Sequence, residues 1–404
     1  MSLNELVSAE RIHIGFFGLR NAGKSSLVNA VTGQDLAVVS DVKGTTTDPV
    51  TKAMELKPLG PVVIIDTPGL DDEGELGAQR VKKAKLALGK TDIAVLVVDD
   101  TAGLSPLDRE LIEAFQAAKL PHIIAMNKAD LVSDRETGYH YVSAMTGEGV
   151  FALKEKLGDF ARGIKKEKVL CSDLFDAGDV VMLVTPIDEA APKGRLILPQ
   201  QLVLRDVLDH HGMAIVCQDT EVVQTLAALA KPPRLVITDS QAFKRVSRDV
   251  PDDVMLTSFS ILMARYKGEL GQLMAGADAL STLRDDDRVL ISEGCTHHRQ
   301  CNDLGTVQIP GLIRKFSGAQ PEFAFTSGGE FPEDLPSFRL VVHCGGCMLN
   351  DREMQRRMAI CAGANVPMVN YGVLLAHING ILERSLRPLR AMPGDNSSRT
   401  ASDE

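Results

Sequence analysis

The sequence predicts an α/β chain of successive domains, each built on a mostly parallel sheet. Three observations lead there. Short runs of β-forming residues, such as Val62-Val-Ile-Ile65 and Asp179-Val-Val-Met-Leu-Val-Thr185, alternate with helix-like segments along most of the chain. Many of these runs are apolar throughout rather than in alternation, as strands covered on both faces are. The runs also lead repeatedly into loops rich in Gly, Asp, Asn, Cys and His, and ligands collect beyond the carboxyl ends of strands in open α/β sheets.

Bulk properties narrow the function. A chain of 404 residues has room for two or three domains, each with its own core. Lys plus Arg is 44 and Asp plus Glu is 54, a formal net charge of -10. That balance argues against a broad nucleic-acid surface, which needs a basic face. Seven cysteines, an odd number without small-scaffold spacing, do not suggest a disulfide framework. Met1 to Glu10 is polar and lacks the apolar core of a signal peptide. No apolar run reaches the roughly 18 to 20 residues of a membrane span. The expectation is a cytoplasmic protein with no nucleic-acid or membrane partner.

Residues 1–165 carry the first chemistry. The strand Ile12-His-Ile-Gly-Phe-Phe17 runs into Gly18-Leu-Arg-Asn-Ala-Gly23-Lys24-Ser25, and Ser26 to Val31 reads as the following helix. This strand–loop–helix pattern cradles phosphates on backbone N–H groups and a helix N-terminus. Gly18, Asn21, Ala22, Gly23, Lys24, Ser25 and Ser26 are the expected lining. Lys24 would reach the β and γ phosphates and Ser25 would hold Mg²⁺. Asp66-Thr-Pro-Gly69 follows a strand, where Asp66 can support the metal and the Gly69 N–H can face the γ-phosphate. Asn127-Lys-Ala-Asp130 and Ser143-Ala-Met-Thr-Gly147 follow two more strands, and the threonine-rich loop Gly44-Thr-Thr-Thr-Asp48 lies between the first helix and the second strand.

In this order the segments resemble the five motifs of small guanine-nucleotide-binding domains of the Era/MnmE-like branch. The resemblance implies that Thr46 is the switch threonine on Mg²⁺ and that Asp130 accepts hydrogen bonds from the guanine edge. It implies that Asn127 and Lys128 brace the base pocket, with Ser143 and Ala144 forming its last loop and the Ala144 N–H meeting the guanine oxygen. It gives Asn21 the task of holding K⁺ against the phosphates. Leu70 stands where a water-positioning glutamine could be, so hydrolysis is expected to be slow unless K⁺, dimerisation or a carboxylate of Asp71-Asp72-Glu73 assists.

Lys165-Lys-Glu-Lys168 reads as a linker into a second domain over 170–265. There, strands at Asp179 to Thr185, Ala214 to Cys217 and Arg234 to Thr238 alternate with helices near Pro199 to Asp209, Glu221 to Ala230 and Ser240 to Val246. This region contains no phosphate loop or catalytic constellation, and a dimer interface is its expected role. His210 and His211 are adjacent and so face different ways; Cys171 and Cys217 read as core residues.

A third domain over 266–390 carries the cysteines, and a Ser-rich tail over 391–404 is expected to be disordered. Arg288-Val-Leu-Ile-Ser292 precedes Cys295-Thr-His297, and Phe338-Arg-Leu-Val-Val342 precedes His343-Cys344-Gly-Gly-Cys347. Cysteines three positions apart can face one centre across a glycine turn. Three thiolates with a nearby histidine suit an iron–sulfur cluster or a zinc ion. Glu293, His298, Cys301 and Cys361 are weaker candidates.

A guanine-nucleotide domain, a middle α/β domain and this constellation together resemble the HydF family, the maturation GTPases of iron-only (FeFe) hydrogenases. The resemblance implies a scaffold and carrier with a 4Fe-4S cluster on Cys295, Cys344 and Cys347. An exchangeable fourth site would be open to His297 or His343. The implied cargo is a two-iron precursor bearing CO, cyanide and dithiolate. The implied partners are apo-hydrogenase, two radical-SAM maturases and further copies of the chain, as a homodimer or higher assembly. The fold class is then α/β, with a P-loop GTPase domain, a middle parallel-sheet α/β domain and a C-terminal α/β iron–sulfur cluster domain. A second reading is an RNA- or ribosome-associated regulatory GTPase with a structural Cys₃His zinc site, disfavoured by the acidic balance and the lack of an RNA-binding module. In a third, a metal only staples the C-terminal domain.

Overall fold

The computed structural model describes residues 10–34, 50–69, 83–84, 86–164, 168–187, 196–294, 303–332, 334–346 and 349–390. The chain forms two compact units: residues 1–167 with the short segment 350–353, and the remainder.

The first unit holds a six-stranded sheet in the order β2-β3-β1-β4-β5-β6. These strands are β1 (Ile12–Phe17), β2 (Val50–Leu56), β3 (Gly60–Asp66), β4 (Ile93–Asp99), β5 (His122–Asn127) and β6 (His140–Tyr141). All pairings are parallel except β2 with β3. Every residue of β1 is buried, the pattern expected of a central strand covered on both faces. Ile14, Phe16, Val62, Val95 and Val97 point to a core with Leu27, Val31, Leu153 and Leu157; Phe17, Leu96 and Phe115 fill the opposite side.

The second unit holds two all-parallel four-stranded sheets, β10-β9-β7-β8 and β12-β11-β13-β14. The former uses β7 (Val180–Val184), β8 (Met213–Cys217), β9 (Leu235–Thr238) and β10 (Met255–Ser258). The latter uses β11 (Arg288–Glu293), β12 (Glu322–Ser327), β13 (Leu340–His343) and β14 (Met368–Asn370). The strands and helices expected over 170–265 are present, with the addition of β10.

The expected boundary at 265/266 falls inside the helix Phe259–Lys267. Ile261, Leu262 and Met263 of that helix are buried in one continuous core with residues of both sheets. A helix with most of its residues buried belongs to an interior rather than to a linker. At the other end, the expected helix from Tyr371 to Glu383 is two helices, Tyr371–Ile378 and Leu382–Arg390. Gly380 between them adopts φ +69°, a conformation that favours glycine. The helix Leu382–Arg390 returns to the middle sheet. There Arg384 donates to the carbonyls of Val250 and Pro251 at 2.7 and 2.9 Å, and Arg387 to that of Asp252 at 2.7 Å. No helix among the described residues is long and apolar enough to cross a membrane.

Candidate nucleotide and cysteine sites

The phosphate loop is shaped by two glycines and held by two side chains. Gly18 has φ +138°, and a Cβ there would lie 2.2 Å from the Val97 carbonyl oxygen. Gly23 has φ +84° and would meet the Asn127 side chain at 2.2 Å. Lys24 is buried and donates from Nζ to the Leu19 carbonyl at 2.6 Å, closing the loop on itself. Ser25 Oγ donates to Asp66 Oδ2 at 2.7 Å. The other carboxylate oxygen, Asp66 Oδ1, is buried with no hydrogen-bond partner among the described residues. Burial pushes the Asp66 carboxyl above the usual carboxylate range, against the Ser25 hydrogen bond and the Lys24 charge, which pull it down. A hydroxyl beside an orphaned carboxylate oxygen fits a hard divalent cation and its waters, so Ser25 and Asp66 suit Mg²⁺.

Asp66 and Gly69 are brought to this loop by β3, the parallel neighbour of β1. Thr67 fixes the crossing, donating from its N–H and its hydroxyl to the Phe16 carbonyl at 3.2 and 2.7 Å. Gly69 then passes so close that a Cβ would lie 2.8 Å from Arg20 Cα.

Asn127 joins the phosphate loop to the base loop. Its Nδ2 donates to the Ala22 carbonyl at 2.9 Å, and its Oδ1 accepts from the Ala144 N–H at 3.0 Å. Lys128, with φ +66°, forms an ion pair with Asp99 at the end of β4. Burial raises the Asp99 carboxyl, but the Lys128 and Thr101 hydrogen bonds and the Lys128 charge outweigh it and hold the group below its usual range. Asp130 is exposed on the turn Ala129–Leu131. Ser143 is buried and its hydroxyl accepts from the Thr146 N–H at 3.1 Å, setting the turn that presents Ala144. Asn21 is exposed, in the left-handed region at φ +61°. Asp99 was not anticipated, although two acidic residues ending an apolar strand were a visible signal. Thr46, Leu70 and Asp71 to Glu73 lie outside the described residues.

The cysteine site is approached from the carboxyl ends of β11 and β13, which are hydrogen-bonded neighbours. Cys344 Sγ accepts from the Gly294 N–H at 3.1 Å and the Gly346 N–H at 3.4 Å. Both donors are backbone N–H groups, one from each of the two segments that flank the cysteines. Gly294 immediately precedes Cys295, and a Cβ on it would lie 2.7 Å from Leu349, two residues past Cys347. The chain flanking all three cysteines therefore converges at one sheet edge. Cys295, His297, His298, Cys301 and Cys347 themselves lie outside the described residues. Among the described residues no group of three or more His, Cys, Asp or Glu is placed to hold a metal ion.

His343 is fully buried, with both ring nitrogens engaged. Nδ1 meets the Cys344 carbonyl at 2.7 Å and Nε2 meets Arg357 Nη1 at 3.0 Å. As placed, it offers no nitrogen to a metal, and the fourth-ligand expectation for it gives way to an anchoring role. Glu293 is buried and accepts from the Tyr371 hydroxyl at 3.3 Å. Cys361 is fully buried, and burial pushes its thiol up to about 12, so it is a core residue. Cys171 is likewise buried, donating to Asp206 Oδ2 at 3.2 Å.

Comparison with known families divides the chain as the sheets do. Residues 170–268 match the hydrogen maturase F dimerization domain and residues 271–388 the hydrogen maturase F tetramerization domain. The chain belongs to the hydrogen maturase F family. Residues 13–128 match a GTPase family described as 50S ribosome-binding GTPase. Three curated GTPases each align with about a third of this family member. The tRNA modification GTPase MnmE of Chromobacterium violaceum is 36% identical over 156 residues, 37% of this chain and 34% of that protein. The GTPase Der of Wolinella succinogenes is 34% identical, covering 36% of this chain and 35% of that one. The GTPase Era of Clostridioides difficile is 32% identical, covering 34% and 46%. The chain thus spans between a third and a half of the length of these relatives. Among solved structures, a variant of Aquifex aeolicus Era bound to GDP and aluminium fluoride aligns at 18% identity and a TM-score of 0.35, covering 58% of this chain and 97% of that one. The N-terminal unit of this hydrogen maturase F family member is a GTPase domain, and the chain carries two oligomerisation domains.

Proposed function

We propose that this chain is a GTP-hydrolysing iron–sulfur scaffold and carrier for the two-iron centre of an iron-only hydrogenase. Cys295, Cys344 and Cys347 hold a 4Fe-4S cluster, and the incomplete thiolate set leaves one iron open to exchange. The protein receives a two-iron precursor bearing CO, cyanide and dithiolate from radical-SAM maturases and delivers it to apo-hydrogenase. His297 is the remaining histidine candidate at the open iron.

The observation that carries this reading is the pair of hydrogen bonds to Cys344 Sγ, because one comes from the residue before Cys295. In a hydrogen maturase F chain, that is support for the flanking cysteines meeting at one thiolate-binding edge.

In the GTPase unit, Lys24 and Ser25 bind the β and γ phosphates and Mg²⁺, Thr46 closes on the metal, and Asn127, Lys128, Asp130 and Ala144 select guanine. Asn21 recruits K⁺. Without a water-positioning glutamine the reaction is slow, which suits a timer that reorders switch loops on γ-phosphate loss.

Assembly proceeds through the middle sheet. Its edge strand β8 exposes Met213 and Val216, 52% and 45% accessible, whereas its other edge, β10, is packed by the helix Leu382–Arg390. An open strand edge with apolar side chains favours pairing with another chain.

The test is transfer. Protein loaded with cluster and two-iron precursor is mixed with apo-hydrogenase, and hydrogen evolution is followed. Activation by the loaded wild type and none by Cys344→Ala is expected. A loaded protein that never activates apo-hydrogenase would remove the carrier role.

A further inference from the structure

Arg357 is the largest side chain that the described residues bury completely, at 0% exposure. It lies on the helix Asp351–Gly363 that leaves the cysteine loop, on the same face as the buried Met354, Met358 and Cys361. A buried guanidinium is costly unless its donors are met, and this one is met at the cysteine edge. Nη1 donates to His343 Nε2 at 3.0 Å and to Ser292 Oγ at 3.3 Å. Nη2 donates to the Gly328 carbonyl at 2.6 Å. The guanidinium carbon lies 5.3 Å from the centre of the Phe331 ring.

These acceptors lie at the carboxyl ends of three adjacent strands. Ser292 and His343 are register partners at the carboxyl ends of β11 and β13, and Gly328 follows the last residue of β12. One rigid, planar group therefore ties together the strand ends from which both cysteine loops depart. It also sets the histidine. With Nε2 accepting from arginine, the ring proton sits on Nδ1 and is donated to the Cys344 carbonyl, a tautomer assigned from the bonding pattern. Ser292 is three residues before Cys295, and His343 is bonded to Cys344.

We propose that Arg357 is the positioning residue of the cysteine site: its fork holds in register the strand ends that lead into the two cysteine segments, and its charge favours the anionic state of the centre bound there. The proposal rests on the iron–sulfur reading above. Partners that orient metal ligands commonly contribute about 10- to 100-fold to metal retention, and net charge near a cluster tunes its potential. Lysine keeps the charge but not the planar fork, so the two contributions separate.

The experiment compares wild type, Arg357→Lys and Arg357→Gln as full chains, reconstituted without oxygen. It measures iron and sulfide, the rate of iron loss to a chelator, the midpoint potential by EPR-monitored titration, and folding by circular dichroism. Iron loss about 10-fold faster is expected in both variants, because both lose the fork. The potential should move to more negative values in Arg357→Gln only, since removing positive charge disfavours the reduced cluster. A merely structural arginine would lower the melting temperature without ordering the potentials by charge. If Arg357→Gln does not fold, Arg357→Lys decides through its iron retention. Wild-type retention in a folded Arg357→Lys, or wild-type retention and potential in a folded Arg357→Gln, overturns the proposal. A wild-type chain that takes up no iron fails earlier and overturns the cluster reading with it.

Discussion

Two glycine-containing loops in this chain leave the carboxyl ends of parallel strands, one after β1 and one after β13, and they use their backbones in opposite ways. In the first, side chains of Lys24 and Asn127 donate to the loop carbonyls of Leu19 and Ala22. The protein thus satisfies the loop's acceptors, and the surface it shapes suits an anion brought from outside. In the second, the N–H groups of Gly294 and Gly346 are spent on Cys344 Sγ, an acceptor that belongs to the chain. The first arrangement suits a ligand that binds, reacts and leaves. The second suits a centre that stays. The same sheet edge can therefore serve a switch or a store, depending on which partner completes the backbone donors.

The largest effect that sharpens this contrast is at the second loop. Cys344→Ala should abolish retention of iron and sulfide while leaving GTP hydrolysis near wild type, as measured by metal analysis and phosphate release. Next is Lys24→Ala, which should slow GTP hydrolysis by about 10²-fold or more, since it removes charge stabilisation at the phosphates. Its iron content should match wild type; a large loss of iron would mean that the two loops are not independent. Asn127→Ala comes third. It strands the Ala22 carbonyl and the Ala144 N–H, at about 1–3 kcal/mol for each group left unsatisfied. Nucleotide affinity should fall by about 10-fold or more, read by titration with a fluorescent GDP. Smallest is the exchange of K⁺ for Na⁺, which should slow hydrolysis severalfold through Asn21; equal rates in the two salts would remove K⁺ from the site.

The first loop was legible in the sequence almost residue by residue. Its spacing is dictated by a phosphate and a base of fixed size, so Lys24, Asp66, Asn127 and Ser143 could be placed from order alone. The second was legible only as a composition, three cysteines and two histidines after two strands. What the histidine does depends on Arg357, and an arginine between Met354 and Met358 in a helix reads as an ordinary surface residue. Its burial is decided by strand ends more than sixty residues away, at Ser292, which no local pattern reports. The helix that runs across the expected boundary at 265/266 was hidden for a related reason. Val254-Met-Leu-Thr-Ser258 and the helix after it carry no glycine or proline, so the strand β10 passes into a core helix with no punctuation to mark it.

Whether the cysteine edge holds a cluster is decided by the iron, sulfide and zinc content of the wild-type chain purified and reconstituted without oxygen, with absorption and EPR spectra. About four irons and four sulfides per chain are expected, with visible charge-transfer absorption and a reducible EPR signal that Cys344→Ala lacks. One tightly held zinc and no reconstitutable iron would contradict the cluster reading and make the cysteine edge a structural staple.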